Sequence, residues 1–127
     1  MNEIDNVIHT YTREQAIADG VLIDVTVTAK EAGFRIPVAV TSAVWAEYVA
    51  VPTGVDGQDE RGRLWDILWM LHVAIRSKNG SDSEVIFWLH VRNDNLVDEP
   101  PLIELKAGCG PNDDGSPCIT VMQPEED

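Results

Sequence analysis

Histidines and carboxylates are the residues of this chain that could carry out acid–base or metal chemistry. Periodicity places His72 on the apolar side of a predicted helix, and His90 shares a predicted strand face with Trp88. An imidazole among apolar residues is more often a core residue with one hydrogen-bond partner than a catalytic base or metal ligand. A small metal-dependent hydrolase would require the two imidazoles to meet across a helix–sheet interface. Asp66 or Glu104 would then supply the carboxylate. We keep this enzyme as an alternative and expect a protein without catalytic activity.

A second candidate for chemistry is the loop 110–117, which places Asp113 and Asp114 among turn-forming residues. A calcium loop of the EF-hand type needs a glutamate six residues after its glycine, but the residue at that distance from Gly115 is Val121. Turn chemistry explains this composition without a metal. The chain also lacks the phosphate-binding, dinucleotide-binding, nucleophile-elbow and zinc-protease motifs. We therefore predict no metal and no cofactor.

Acidic residues dominate the charge of the chain. Nine Lys and Arg stand against 22 Asp and Glu, which gives a net charge of −13. Such a surface repels nucleic-acid phosphates and anionic membranes, so we expect neither to bind directly. Two interpretations remain: a surface that only keeps the protein soluble, or a face that docks onto a basic protein, including one whose nucleic-acid substrate it imitates. The candidate partner face consists of Asp94, Asp98, Glu99, Glu104, Asp113 and Asp114.

Cysteine use and the absence of long apolar runs indicate the compartment. Cys109 and Cys118 flank the loop just described, and strands on either side would bring them near each other. In a reducing cytosol such cysteines are expected to be free thiols. No apolar run reaches the roughly 18 residues of a membrane span, and the mixed, acidic N-terminus is unlike a signal peptide. We expect a cytoplasmic protein.

The segment 59–77 is the element around which the rest of the chain must be arranged. It is apolar over most of a helical circumference, with a stripe centred on Leu68. A helical wheel drawn for this segment places Trp65 and Ile75 in the apolar stripe and Arg63 on the opposite side of the helix. A helix this apolar is predicted to be the central helix of the core. The same reasoning assigns all four tryptophans to the core: Trp45, Trp65, Trp69 and Trp88.

Shorter elements precede this helix. Residues 1–10 are predicted to be an irregular lead-in, and Thr12 and Gln15 have the spacing of a capping box that starts a first helix. Short strands are predicted at 21–26 and 34–40. Pro37 assigns the second of these to a sheet edge or to a connection, because proline has no backbone donor.

The C-terminal half changes from helical to strand periodicity. Three strands at 84–91, 102–107 and 119–122 are separated by polar turns, and residues 123–127 form an acidic tail. Short connections favour an antiparallel meander. The first strand is apolar on both faces, so we place it in the middle of the sheet or under a helix; exposed at an edge, it would permit an oligomeric structural domain.

These elements predict a single α+β domain spanning residues 1–127. Its helical N-terminal half contributes the central helix, which packs on a C-terminal three-stranded antiparallel meander that the short N-terminal strands can extend.

Four strings of the sequence resemble a known family: YTREQAIADGVLIDVT, AGFRIPVAVTSAVW, DERGRLWDILWMLHVAIR and LKAGCGPNDDGSPCITVMQPEED. The family consists of small uncharacterised bacterial proteins, a domain of unknown function whose members are often carried on plasmids, integrative elements and phages. The resemblance covers residues 11–127. It implies an accessory role in mobile-element biology and transfers no activity, cofactor or catalytic residue. The function we expect is therefore a non-enzymatic, acidic interaction protein of a bacterial mobile element that binds a protein partner.

Overall fold

The first helix in the described residues begins where the sequence predicts it. α1 (Arg13–Ala18) starts at Thr12, whose hydroxyl accepts a hydrogen bond from the Gln15 amide at 3.0 Å, while the Gln15 side chain accepts one from the Thr12 amide at 2.9 Å. This reciprocal pair confirms the capping box. The computed structural model describes residues 11–77, 83–95 and 98–126. The predicted lead-in 1–10 and the last residue of the predicted tail lie outside the described residues.

Two short strands and a one-turn helix follow α1. They are β1 (Leu22–Asp24), α2 (Thr26–Glu31) and β2 (Val38–Thr41). α2 begins where it does because the Asp24 carboxylate accepts hydrogen bonds from the Thr26 amide at 3.0 Å and hydroxyl at 2.6 Å. Pro37 lies in the connection before β2 and its carbonyl accepts from the Ile119 amide at 2.9 Å. Proline therefore does not confine β2 to an edge, and the strand is internal.

The chain then turns into the long central helix. Thr41 caps α3 (Ser42–Val44) by accepting from the Val44 amide at 3.2 Å, and α3 continues as a π-helical turn (Trp45–Val49). α4 (Glu60–Ser77) is the central helix predicted from the sequence. The Asp59 carboxylate accepts from the Gly62 amide at 2.7 Å and so satisfies an amide of its first turn.

Five strands form one mixed sheet in the order β1-β2-β5-β4-β3, completed by β3 (Glu84–His90), β4 (Leu102–Pro111) and β5 (Pro117–Met122). The three C-terminal strands pair antiparallel in chain order, as predicted, but they do not form the sheet alone. β2 pairs with β5 in parallel, with Ala39 opposite Thr120, and β1 joins β2 antiparallel. The sheet therefore differs from the predicted three-stranded antiparallel meander, because the N-terminal strands extend it to five strands and one of its pairings is parallel. The single α+β domain is confirmed.

α4 lies across one face of this sheet, which we call the inner face. Its buried leucine and isoleucine side chains form one apolar cluster with Phe87 and Leu89 of β3 and with Leu105 of β4. Strand side chains alternate between faces, so Trp88 and His90 project from the opposite, outer face. β3 is an edge strand that lies under a helix on its inner face.

The buried side of α4 is rotated from the one that the sequence predicts. Arg63, placed on the far side by the wheel, is only 5% exposed, whereas Trp65, Trp69 and Ile75 are exposed. The centre of the true buried face is rotated about the helix axis by roughly 60° from Leu68. The sequence could not predict this rotation, because a helix that is apolar on nearly all sides has no clear centre to its apolar stripe. Trp88 is also exposed, and Trp45 alone of the four tryptophans packs against the core. The assignment of all four to the core is wrong.

The Arg63 guanidinium is a buried cation bonded to both backbone carbonyls and side-chain amide oxygens. It donates to the Val49 carbonyl at 3.2 Å, the Arg92 carbonyl at 2.5 Å and the Asn93 side-chain oxygen at 2.7 Å. Asn93 in turn donates to the Glu47 carbonyl at 2.9 Å. These bonds tie α4 to the π-helical turn and to the segment after β3.

We predict that Arg63→Lys destabilises the fold by about 2–4 kcal/mol, because an ammonium group cannot replace the planar fork and leaves buried carbonyls unpaired. Urea unfolding followed by circular dichroism measures the loss. The matched control is Arg61→Lys, whose exposed side chain pairs with Glu31 at 3.4 Å on the surface and should leave stability close to that of the parent. Equal unfolding midpoints for the two variants would contradict this role of Arg63.

Candidate functional site

The two candidate catalytic histidines lie on opposite sides of the sheet. The His72 ring, on α4, has its centroid 5.6 Å from that of Phe34 and 5.6 Å from that of Trp69. His90 projects from the outer face at the end of β3, where its Nδ1 lies 2.8 Å from the Pro100 carbonyl and its Nε2 lies 3.9 Å from the Glu99 carboxylate. Their neighbours differ, so the structure does not bring the two imidazoles together.

The two carboxylates proposed to assist these histidines lie on different elements, Asp66 on α4 and Glu104 on β4. Glu104 accepts a hydrogen bond from the Trp88 indole at 3.1 Å on the outer face. Asp66 lies on α4, where partial burial raises the pKa of its carboxyl. Asp66 and His90 line a cavity of about 20 Å³. A space of this size holds at most one water molecule, so it offers no room for a substrate.

Two classes of site find no support in residues 11–77, 83–95 and 98–126. No group of three or more His, Cys, Asp or Glu side chains in these ranges is arranged to hold a metal ion. No helix within them has the length and apolar character needed to cross a bilayer.

Asp113 and Asp114, which belong to the proposed partner face, accept hydrogen bonds from backbone amides of the protein itself. The Asp113 carboxylate accepts hydrogen bonds from the amides of Arg13 at 2.8 Å and Glu14 at 3.0 Å, which caps α1 from a distant part of the sequence. Asp114 accepts from the Ser116 amide at 2.9 Å and hydroxyl at 2.5 Å, and these bonds lower the pKa of its carboxyl. Both acids hold the β4–β5 turn and α1 in place.

The six acids do not share one place in the fold. Asp94, Asp98 and Glu99 lie in the segment between β3 and β4, and Glu104 is in the first part of β4. The turn that carries Asp113 follows the far end of β4, a ten-residue strand about 30 Å long at ~3.4 Å per residue. The structure therefore separates the proposed face into two groups, and the first of them lies beside exposed apolar side chains.

These apolar side chains form what we call the outer patch: Ile86 and Trp88 on β3 and Leu102 on β4. They are 37%, 50% and 58% exposed and lie on the same face of adjacent strands. Glu104 is directly opposite Trp88, and Leu102 is directly opposite His90. Carboxylates thus border a small apolar surface, and the indole ring is anchored by its bond to one of them.

Other parts of the outer face are covered by the protein itself. Ala39, Cys118 and Met122 project from this face and are buried. The Arg13 guanidinium donates to the Thr120 hydroxyl at 2.7 Å, which holds α1 over the sheet. At the C-terminus, the Lys106 ammonium donates to the Glu126 carbonyl at 2.6 Å. The predicted tail therefore folds back, up to residue 126, beside β4 and leaves the outer patch uncovered.

A second exposed aromatic surface lies on α4. The rings of Trp65 and Trp69 are parallel within 5° with centroids 6.4 Å apart, and Trp69 stacks on His72 in the same way at an interplanar angle of 21°. Assigning the tryptophans to the core missed this surface. The signal was present, because positions 65, 69 and 72 have the spacing of one helical line.

The two cysteines are free and project from opposite faces. Cys109 is exposed and Cys118 is buried. Cys109 is opposite Ile119, and Cys118 is opposite Gly110, so the alternation of side chains directs the two thiols apart. Burial raises the pKa of the Cys118 thiol.

We predict that iodoacetamide at mildly alkaline pH modifies Cys109 much faster than Cys118. Burial excludes the reagent from Cys118, and the raised pKa leaves less of its reactive thiolate. Peptide mass spectrometry measures the two rates, and Cys109→Ser should react slowly until denaturant is added. Equal rates, or a ready disulfide between the two residues under mild oxidation, would show that the register described above is incorrect.

Comparison with known proteins identifies a family and nothing further. A model described as "Family of unknown function (DUF6573)" matches residues 1–127. No curated protein and no solved structure matches the chain.

Proposed function

Because the chain belongs to this family of unknown function, no activity carries over from a relative, and we propose from its geometry that it is a non-enzymatic accessory protein that binds a basic protein partner. The observation that carries the proposal is the outer patch. Three large apolar side chains are exposed together on the half of the outer face that the described residues leave uncovered, with carboxylates around them.

The composition of the outer patch is typical of a protein-binding surface. Single exposed apolar residues are ordinary, but adjacent ones bordered by polar groups indicate a contact site. Tryptophan is enriched among residues that dominate binding energy, and interface rims are polar. Trp88 lies between Ile86 and His90 along β3 and opposite Glu104 on β4, which matches this arrangement.

The charge of the chain favours a basic partner. A net charge of −13 attracts cationic surfaces over long range, and this attraction weakens as salt rises. Two of these negative charges, on Glu99 and Glu104, lie beside the outer patch. We propose that burial of Trp88 and Leu102 supplies affinity and that the carboxylates select the partner.

Two finer versions of this function have different support. The resemblance seen in the sequence favours a role for the protein on a bacterial mobile element. Nucleic-acid mimicry would need acids arranged like phosphates on one exposed face. The acids instead occur at both ends of β4, and Asp113 is engaged in capping α1, so the geometry favours a basic surface in general over a nucleic-acid-binding site.

The structure supports the two alternative functions, a hydrolase and an oligomeric structural domain, to different degrees. The hydrolase alternative required His72 and His90 to share a pocket, and they lie on opposite sides of the sheet. The oligomeric alternative required the first C-terminal strand to be exposed at an edge. β3 is at an edge, so this alternative has a specific observation in its favour.

We predict that Trp88→Ala and Leu102→Ser each reduce partner capture at least about tenfold, because both remove apolar area at the centre of the outer patch. Tagged protein is incubated with nuclease-treated bacterial lysate at low and high salt, and retained proteins are quantified by mass spectrometry. The expected partner is basic, insensitive to nuclease and retained less at high salt.

The matched control is Trp69→Ala, because Trp69 is 45% exposed on α4, away from the outer patch. It should capture the same partner as the unmodified chain. Melting temperatures verify that all variants remain folded. If capture depended on Trp69 and not on Trp88, or if both variants bound like the unmodified chain, the outer patch would not be the binding surface.

A further inference from the structure

The two edges of the sheet differ in a way that bears on self-association. β1 has three residues, so it offers little backbone for another strand to pair with. β3 has seven residues, EVIFWLH, without proline or lysine. Native proteins usually protect exposed edges by shortening them or by placing such residues on them. Among the described residues, one edge of this sheet is therefore protected by its short length and the other is open.

The hydrogen bonds at the ends of β3 define which backbone groups are open. The Cys109 amide donates to the Ser83 carbonyl at 2.7 Å, and the Val91 amide donates to the Pro101 carbonyl at 3.1 Å. Antiparallel pairing alternates, so Val85, Phe87 and Leu89 direct their backbone groups toward β4. The backbone amides and carbonyls of the residues between them point away from the sheet: Glu84, Ile86, Trp88 and His90. Within the described parts of the chain, these backbone groups have no hydrogen-bond partner.

We propose that a second copy of this chain pairs with β3 in antiparallel fashion, with a two-fold axis at Phe87. This register places Ile86 of one copy opposite Trp88 of the other, and Glu84 opposite His90. The middle residue of the strand is on the axis, so every outward amide and carbonyl of both strands has a partner. The two sheets become one continuous sheet across the axis.

The side chains support this register over its neighbours. Directly opposed aromatic and β-branched residues stabilise a strand pair, which favours Ile86 opposite Trp88. The His90 Nδ1 donates to the Pro100 carbonyl, so a carboxylate opposite the ring forms an ion pair with it when the imidazole is protonated. A shift by two residues in one direction would pair Ile86 with itself and place Glu84 opposite Trp88. A shift in the other direction would pair Trp88 with itself and place Ile86 opposite His90. Either shift leaves outward backbone groups at one end of each strand unpaired. Glu99 also faces the His90 ring, so Glu84 joins an existing contact.

The dimer does not depend on the proposed partner function. It would, however, unite the two outer patches, because Ile86 and Trp88 of both copies project from the same face of the continuous sheet. A partner-binding surface of this kind would be two-fold symmetric.

Sedimentation equilibrium over a range of concentrations tests the proposal. We expect the apparent mass to rise from that of the 14.0 kDa chain to twice that value as concentration increases. His90→Glu places a carboxylate opposite Glu84 at both ends of the interface, and should weaken dimerisation at least about tenfold. Adding Glu84→Lys to this variant restores opposite charges and should restore the dimer. Both variants keep Ile86, Trp88 and Leu102.

Lys30→Gln on α2 is the matched control, because it makes the net charge more negative, as His90→Glu does, away from β3. It should dimerise like the unmodified chain, and near-ultraviolet circular dichroism verifies that each variant is folded. A chain that stays at 14.0 kDa at all concentrations would overturn the proposal. So would a dimer that His90→Glu leaves intact, since its interface would lie elsewhere. Failure of the double variant to recover would overturn the register.

Discussion

The buried Arg63 guanidinium determines how the two layers of this domain fit together. A charge removed from water must be satisfied by hydrogen bonds, and here the Val49 and Arg92 carbonyls do so together with the side-chain oxygens of Gln58 and Asn93. These bonds hold α4 over the inner face, where its leucines meet Phe87 and Leu89. With the inner face covered by α4, the surfaces left for other molecules include the exposed side of α4, the outer face of the sheet and the edge at β3.

Polar side chains that bond to the protein itself also hold segments over one part of the outer face and leave another part exposed. Asp113 caps α1 through two amides, and Glu126 accepts from the Thr41 hydroxyl at 2.8 Å and from the Gln123 amide at 2.7 Å. Part of the acidity of the chain is therefore structural, since these carboxylates hold α1 and the C-terminal turn against the strands. The half of the face on β3 and on the first part of β4 has no such cover from the described residues. Trp88 and Leu102 are exposed there, and the same strand presents the open edge.

Local features of this fold could be predicted from the sequence, and features that depend on distant partners could not. Thr12 and Gln15 satisfy each other's amides within one turn, and Leu105 and Ala107 alternate with polar neighbours, so both patterns are visible in short windows. The parallel pairing of β2 with β5 leaves no local signal. The burial of Arg63 and the exposure of Trp65 depend on which side of an almost wholly apolar helix meets the sheet. Among the candidate site residues, Glu104 proved to border the outer patch, whereas Asp113 was needed by α1.

Amide hydrogen exchange along β3, followed residue by residue by NMR at increasing protein concentration, tests most directly whether this edge is open and used for association. The account predicts alternation in dilute protein: slow exchange at Phe87 and Leu89, which donate to β4, and fast exchange at Ile86 and Trp88. On concentration, Ile86 and Trp88 should become protected as a second copy pairs with them. Protection of all four amides in dilute protein, or fast exchange at Ile86 and Trp88 at every concentration, would contradict the account.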